Sequence, residues 1–316
     1  MTNPKLNAQR RVIEIHGHRG ARGLMPENSL EGFLYALSIG TRTLEIDIQM
    51  TADNILVATH DFLLSKAQTR MIDGSWLEGD SPETISLSLE ELKQFDIGGL
   101  RSGTDYAASF PDQAFLENVR IPSLDEVFAT CKWYEEQNNA PITELNIEIK
   151  SDPRQSVHKA RSERVVDELI ETISEHRMED HVIIQSFDWS LLDLVKDKAE
   201  VLKRSYLTIS GNHTAHATCY PGSPWLGKTE FGDVIDSIPK AVHAAGGKSW
   251  SSHFKDLDEH LVKEARNLDL RILAWTVNEP DDISRMIDLG IDVIISDYPS
   301  RVQRKLLDHG MHWVKS

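Results

Sequence analysis

Hydrophobic positions along this chain recur in two rhythms, short alternating runs and longer runs at helical spacing, and the two take turns. Arg11-Val12-Ile13-Glu14-Ile15 is a short apolar run that stops at His16-Gly17-His18-Arg19-Gly20, so a buried strand is expected to end where the polar residues begin. Pro26-Glu27-Asn28-Ser29 signals a helix start with Asn28 or Ser29 as cap, and Leu30, Phe33, Leu34 and Leu37 follow at helical spacing until Gly40 closes the element. Thr43 to Gln49 alternates strictly, sending Leu44, Ile46 and Ile48 to one face and Glu45, Asp47 and Gln49 to the other. Ile55 to Thr59 reads as a third strand, ending in His60-Asp61. The segment from about 62 to 120 then loses the rhythm and reads as an insertion, with a short helix start at Ser88 to Leu92.

Past the insertion the alternation resumes. Ser123 and Glu126 form a capping-box pair at the head of a helix that Asn138-Asn139-Ala140-Pro141 breaks. Leu145 to Lys150 alternates again, with Asn146, Glu148 and Lys150 opposite Leu145, Ile147 and Ile149. Strands are expected at His181 to Phe187, Val201 to Leu207, Lys248 to Ser251, Arg271 to Val277 and Ile291 to Ser296. Helices are expected at Arg161 to His176, Trp189 to Lys198, Val234 to Ala245, Leu257 to Leu268 and Pro280 to Leu289, and 208–232 reads as a loop-rich excursion. About eight strand signals alternating with helices suit an α/β fold closed into a parallel barrel, with a doubly wound open sheet as the alternative.

Composition narrows the function classes. A chain of 316 residues that is 40% hydrophobic can bury one barrel-sized core. It has no apolar run near the roughly 20 residues that span a bilayer, and MTNPKLNAQRR has no signal-peptide core, so a cytoplasmic protein without stable membrane insertion is expected. Cys131 and Cys219 are too few for a disulfide framework. A formal net charge of -16 argues against nucleic acid as a partner but leaves room for a small anionic substrate where local cations override the global field. Nothing in the sequence reports an oligomeric state.

The candidate chemistry sits where strands end. His18, Arg19, Glu45, Asp47, His60, Glu148 and Lys150 all fall near strand C-termini, the end of a parallel barrel where sites are built. Two carboxylates on one inward face cost several kcal/mol of desolvation unless a cation compensates them, and a hard divalent metal suits oxygen ligands. His213-x-x-His216-x-x-Cys219 has metal-like spacing but lacks a fourth ligand and reads as rim loop. His16 is expected to pack beneath the site. Glu27 and Asn28 either cap a helix or support the site, and Asp61 orients its turn.

His18-Arg19-Gly20-Ala21, Pro26-Glu27-Asn28-Ser29, Glu45-Ile46-Asp47, His60-Asp61, Glu148-Ile149-Lys150 and Ala274-Trp275-Thr276-Val277-Asn278, in that order, resemble the signature series of the glycerophosphodiester phosphodiesterase family. The resemblance implies a TIM-type (β/α)8 barrel, one domain over 1–316, with a small insertion after the second strand region. It implies a divalent metal ion on Glu45, Asp47 and Glu148, with His18 and His60 as general acid and base. Arg19 and Lys150 would hold the phosphate and Trp275 would wall the glycerol. The implied activity is hydrolysis of glycerophosphodiesters to sn-glycerol 3-phosphate and an alcohol. An all-oxygen ligand set favours Mg²⁺ or Ca²⁺ over zinc. The same residues would serve a lysophospholipase D, and a noncatalytic phosphate-ligand binding protein is the reading from another class. Ser29 departs from the threonine of many members, and the insertion is longer than usual.

Overall fold

The structure, a computed structural model, describes residues 12–211 and 216–314. Arg11, where the first apolar run begins, and His213 lie outside them. In chain order the elements are β1 (Glu14–His18), α1 (Leu30–Ser38), β2 (Thr43–Met50), β3 (Leu56–Ala58), α2 (Leu89–Leu92), α3 (Asp105–Ser109), α4 (Leu124–Asn138), β4 (Glu144–Ile149), α5 (Ser156–His176), β5 (Val182–Ser186), α6 (Trp189–Lys198), β6 (Lys203–Thr208), α7 (Ile238–Ala244), β7 (Ser249–His253), α8 (Glu259–Asn267), β8 (Arg271–Trp275), α9 (Pro280–Leu289), β9 (Val293–Ser296) and α10 (Pro299–Asp308). Among the described residues, eight strands pair in parallel in the order β1-β9-β8-β7-β6-β5-β4-β2, and β2 returns to β1 to close the ring. This is the expected TIM-type (β/α)8 barrel.

Alternation builds its two layers. Leu44, Ile46, Ile48, Leu145, Ile147 and Ile149 point out into the core between strands and helices, where Phe33, Trp189, Tyr206 and Trp250 are also fully buried. Each such large side chain contributes on the order of 2–3 kcal/mol by leaving water. The opposite faces of the same strands turn Glu45, Asp47, Asn146 and Glu148 into the barrel. Local signals set the boundaries. Ser29 caps α1 by accepting from Gly32 N, and Ser123 and Glu126 form the capping box at α4.

Several boundaries differ from the sequence reading. The strand expected to stop at His16 continues through His18, because Gly17 and His18 pair with Leu44 and Glu45 and the histidines face the barrel interior rather than a loop. β3 is antiparallel to the end of β2 and stands outside the ring. Helix α5 begins at Ser156 rather than Arg161, and its first turn is largely exposed with no apolar stripe to announce it. Helix α7 begins at Ile238 rather than Val234, where Ser237 caps it and Pro239 occupies the first turn.

The insertion has its own small core of Leu64, Leu77 and Leu92 packed on Val57 and Ile121. Its far end returns to the barrel, where Gln113 Nε2 donates to the Arg22 carbonyl at 2.7 Å and Ala114 N to the Leu24 carbonyl at 2.9 Å. The loop it meets, between β1 and α1, needs glycine. A Cβ on Gly17 would stand 2.1 Å from the Gly20 carbonyl oxygen, and Gly20 has φ +89°.

Candidate active site

Strand register brings the three acidic side chains together. Asp47 lies beside Glu148 across β2 and β4, and Glu45 lies beside His18 across β2 and β1. One oxygen from each of Glu45, Asp47 and Glu148 falls within 4.8 Å of the others, and all three residues are buried. Cations surround them. Arg19 Nε is 3.1 Å from Asp47, and Lys150 Nζ is 2.6 Å from Glu148 and 3.7 Å from Asp47. Glu45 accepts from Arg19 N at 3.1 Å and from Gln185 Nε2 at 2.8 Å, and Asn146 Nδ2 holds Gln185 in place at 3.0 Å.

The charges do not balance. Buried carboxylates Glu27, Glu45, Asp47, Glu148 and Asp297 face the cations Arg19, Arg22 and Lys150. Burial and the neighbouring Asp47 and Glu148 push the Glu45 pKa well above the usual carboxylate range, and burial and Asp47 raise Glu148 despite Lys150. Asp47 goes the other way: burial alone would raise it, but Arg19, His60 and Lys150 hold it well below. Its Oδ1 is nonetheless buried without a hydrogen-bond partner. An excess of carboxylate oxygens, one of them unsatisfied and converging on one point, fits a hard divalent cation.

Each imidazole is held by a carboxylate. His18 Nδ1 lies 2.7 Å from Asp297 Oδ1, and His60 Nδ1 lies 2.6 Å from Asp61 Oδ1. Asp297 is fully buried and held well below its ordinary pKa by His18 and Arg22 against the cost of burial, so it accepts and Nδ1 donates. That leaves His18 Nε2 facing the cavity, 3.8 Å from Glu45. Burial lowers the His18 pKa to about 4, with Asp297 opposing and Arg22 assisting. The His60 turn is set by Gln49, whose Nε2 donates to the carbonyls of Thr59, His60 and Asp61 at 3.3, 3.1 and 2.8 Å.

His18, Arg19, Arg22, Glu45, His60, Glu148, Lys150 and Gln185 line one side of a cavity of about 120 Å³. Phe187, Leu207, Trp275 and Ile295 line the other. Trp275 is fixed by its indole N–H, which donates to the Ser251 carbonyl at 3.1 Å, and by edge-on contact with Phe187 at 5.4 Å. Arg19, which lines the cavity, and Asn28, which holds Asp47, adopt left-handed backbone, φ +51° and +49°, which costs non-glycine residues about 1 kcal/mol or more. The positions are held by what the side chains do there. Asn28 exchanges hydrogen bonds with Asp47, Nδ2 to Oδ2 at 3.0 Å and Asp47 N to Oδ1 at 3.2 Å.

The model of the glycerophosphoryl diester phosphodiesterase family matches residues 18–301. The chain belongs to this family. Membership in the glycerophosphoryl diester phosphodiesterase family makes it a phosphoric diester hydrolase. A glycerophosphodiester phosphodiesterase of Caldanaerobacter subterraneus is 29% identical, over 90% of this chain and 94% of the relative. The human lysophospholipase D GDPD1 is 22% identical, over 93% of this chain and 87% of its own length. Among solved structures, one from Silicibacter pomeroyi is 39% identical with a TM-score of 0.83, covering 96% of this chain and 97% of that one. An Oleispira antarctica phosphodiesterase solved with the product sn-glycerol-3-phosphate shares the fold at 21% identity and a TM-score of 0.67, covering 93% and 97%.

In this member of the glycerophosphoryl diester phosphodiesterase family, His18, Arg19, Glu45, His60, Glu148, Lys150 and Trp275 all line one cavity, and Asp47 joins Glu45 and Glu148 beneath it. His16 packs below the site, its Nδ1 3.4 Å from Asn146 Nδ2. Cys219, expected at the rim, instead packs into the main core, and burial pushes its thiol up to about 12. Sequence reasoning missed Asp297, Arg22 and Gln185. A signal for Asp297 was available, since it directly follows the buried strand Val293–Ser296 just as Lys150 follows β4. Arg22 grips that carboxylate with Nε at 2.7 Å and Nη2 at 3.0 Å, and Asn278 Nδ2 adds a third donor at 2.7 Å. Among the described residues no helix is long and apolar enough to cross a membrane.

Proposed function

We propose that this chain hydrolyses glycerophosphodiesters to sn-glycerol 3-phosphate and an alcohol in the cytoplasm, as one barrel with its 62–120 insertion. The observation that carries the reading is the meeting of three buried carboxylates with two imidazoles on one cavity. The product-bound Oleispira antarctica relative supports the substrate class. Two buried thiols, Cys131 and Cys219, unpaired in the fold, agree with a reducing compartment.

Glu45, Asp47 and Glu148 would hold the cation, and the all-oxygen donor set favours Mg²⁺ or Ca²⁺. When bound, such an ion supplies positive charge against the phosphate and its developing negative charge. The residues of the chain do the rest. Arg19 and Lys150 hold the phosphate oxygens and offset the repulsion between an anionic diester and an oxygen nucleophile. An oxygen nucleophile forms a new bond to phosphorus and the phosphorus–oxygen bond to the alcohol breaks, as one imidazole takes the proton of the nucleophile and the other protonates the departing alkoxide. His18 and His60 each have Nδ1 tied to a carboxylate, which leaves Nε2 for that exchange. Trp275 and Phe187 form an apolar wall for the carbon skeleton.

A second reading, lysophospholipase D activity, is favoured by the human relative of that name and by the apolar wall. One assay separates them. Hydrolysis of glycerophosphocholine that is lost on chelation and restored by Mg²⁺ or Ca²⁺ supports the first, and turnover confined to a lysolipid supports the second. A protein that binds a phosphate ligand but turns over neither, whatever the ion, is a noncatalytic binder, and the proposed activity is then wrong.

A further inference from the structure

Tyr106 stands outside the cavity and belongs to α3, in the insertion, yet its hydroxyl reaches the loop between β1 and α1. There it donates to Glu27 Oε2, and Arg22 donates to it at 3.4 Å. Glu27 holds a cavity residue directly, and Arg22, which lines the cavity itself, holds another through Asp297. Glu27 Oε1 accepts from an Arg19 guanidinium nitrogen at 2.8 Å. Arg22 clamps Asp297, which holds His18 Nδ1. Phe110, at the end of α3, completes the grip. Its ring lies 4.6 Å from the Arg22 guanidinium and stands edge-on to Tyr106 at 5.2 Å.

We propose that Tyr106 is a positioning residue through which the insertion sets Arg19 and His18, by fixing the Glu27 carboxylate and the Arg22 guanidinium at once. What Arg19 and His18 do is taken from the proposed function, whereas the links that join them to Tyr106 are geometric. The physical reason is an unmet acceptor. Without the hydroxyl, a buried Glu27 oxygen loses its donor, and the carboxylate must turn toward another, drawing Arg19 with it. Burial and Glu27 raise the Tyr106 pKa, so the hydroxyl keeps its proton and remains the donor. The insertion thereby becomes part of the site instead of a cover beside it. The relevant geometry depends on an element that lies 79 residues from Glu27 in sequence.

Tyr106→Phe tests this, because it keeps the ring against Phe110 and removes only the hydroxyl. In the full chain supplied with Mg²⁺, kcat/KM for glycerophosphocholine is expected to fall about 10-fold, with the melting temperature within a few degrees of the parent. Glu27→Gln is expected to lose a similar factor, and the double variant to lose no more than the worse single one, the mark of residues acting through one another. Binding of inorganic phosphate, read by calorimetry, is expected to weaken about threefold or more in Tyr106→Phe and needs no turnover. The proposal is overturned if Tyr106→Phe changes neither quantity by more than about twofold, or if the two losses multiply in the double variant. A parent that binds phosphate without hydrolysing a diester sinks the proposed function alone and leaves the phosphate arm to judge Tyr106. A parent that does neither sinks both.

Discussion

On the β1, β2 and β4 side of the cavity the inward positions carry His18, Glu45, Asp47 and Glu148, while on the β8 and β9 side they carry Leu273, Val293, Ile295 and Trp275. The same parallel ladder supports both walls. The apolar wall is held by contact, with one hydrogen bond from the Trp275 indole to the Ser251 carbonyl, and its aliphatic side chains gain by leaving water. The charged wall is stable only as a set, because each buried carboxylate depends on Arg19, Arg22, Lys150 or an amide to offset its burial, and the offsets fall short of the charge. On the proposed function, a site arranged this way would divide the substrate, phosphate to one wall and carbon skeleton to the other. It also keeps the unmet charge at the three carboxylates that would hold the proposed cation.

The two walls should therefore fail differently. The largest effect is expected at the imidazoles: His18→Ala and His60→Ala each lower kcat by about 10²- to 10⁴-fold in steady-state assays. A loss under about tenfold at both would remove proton transfer from the charged wall. Stability should split the walls next. Leu273→Ala opens a cavity in the apolar wall and is expected to cost about 2–5 kcal/mol in denaturant unfolding. Glu45→Gln in metal-free protein replaces a side chain whose charged form is already disfavoured, leaves one of its two donors, Arg19 N or Gln185 Nε2, without an acceptor, and is expected to cost about 1–2 kcal/mol, less than Leu273→Ala. The reverse order would break the comparison. Smaller still is Trp275→Ala, for which KM for a glycerophosphodiester should rise about tenfold with kcat changed less. A fall confined to kcat would show that the apolar wall shapes the reaction rather than binding the skeleton.

Much of this was legible in the alternation. Glu45 and Asp47 share a face because the period of a strand is two, Glu148 lies opposite the apolar face of its own strand for the same reason, and Leu44, Ile46, Leu145 and Ile147 declare which face is outside. Ser29 and Ser123 marked helix starts through a mechanism that acts within four residues. What stayed hidden depends on contacts far apart in sequence. Direction cannot be read from a single strand, so β3 looked like a barrel member until its antiparallel pairing with β2 was seen. Asp297 and His18 are 279 residues apart and meet only because β9 closes against β1. Tyr106 lies on a five-residue helix with no buried residue of its own, whose position is set by a loop of the barrel and leaves no periodic trace.

The central claim is that Glu45, Asp47 and Glu148 form one cation seat, and titration calorimetry of Ca²⁺ and Mg²⁺ into metal-free protein tests it directly. Because burial and its acidic neighbours raise the Glu45 pKa, the empty seat retains a proton there that a cation must displace. Uptake of one ion per chain is expected, with proton release and with affinity that strengthens as pH rises toward that raised pKa and levels off above it. Asp47→Asn should weaken uptake by about 10-fold or more. No bound ion, or uptake unchanged when Glu45→Gln, Asp47→Asn and Glu148→Gln are combined, would contradict the account.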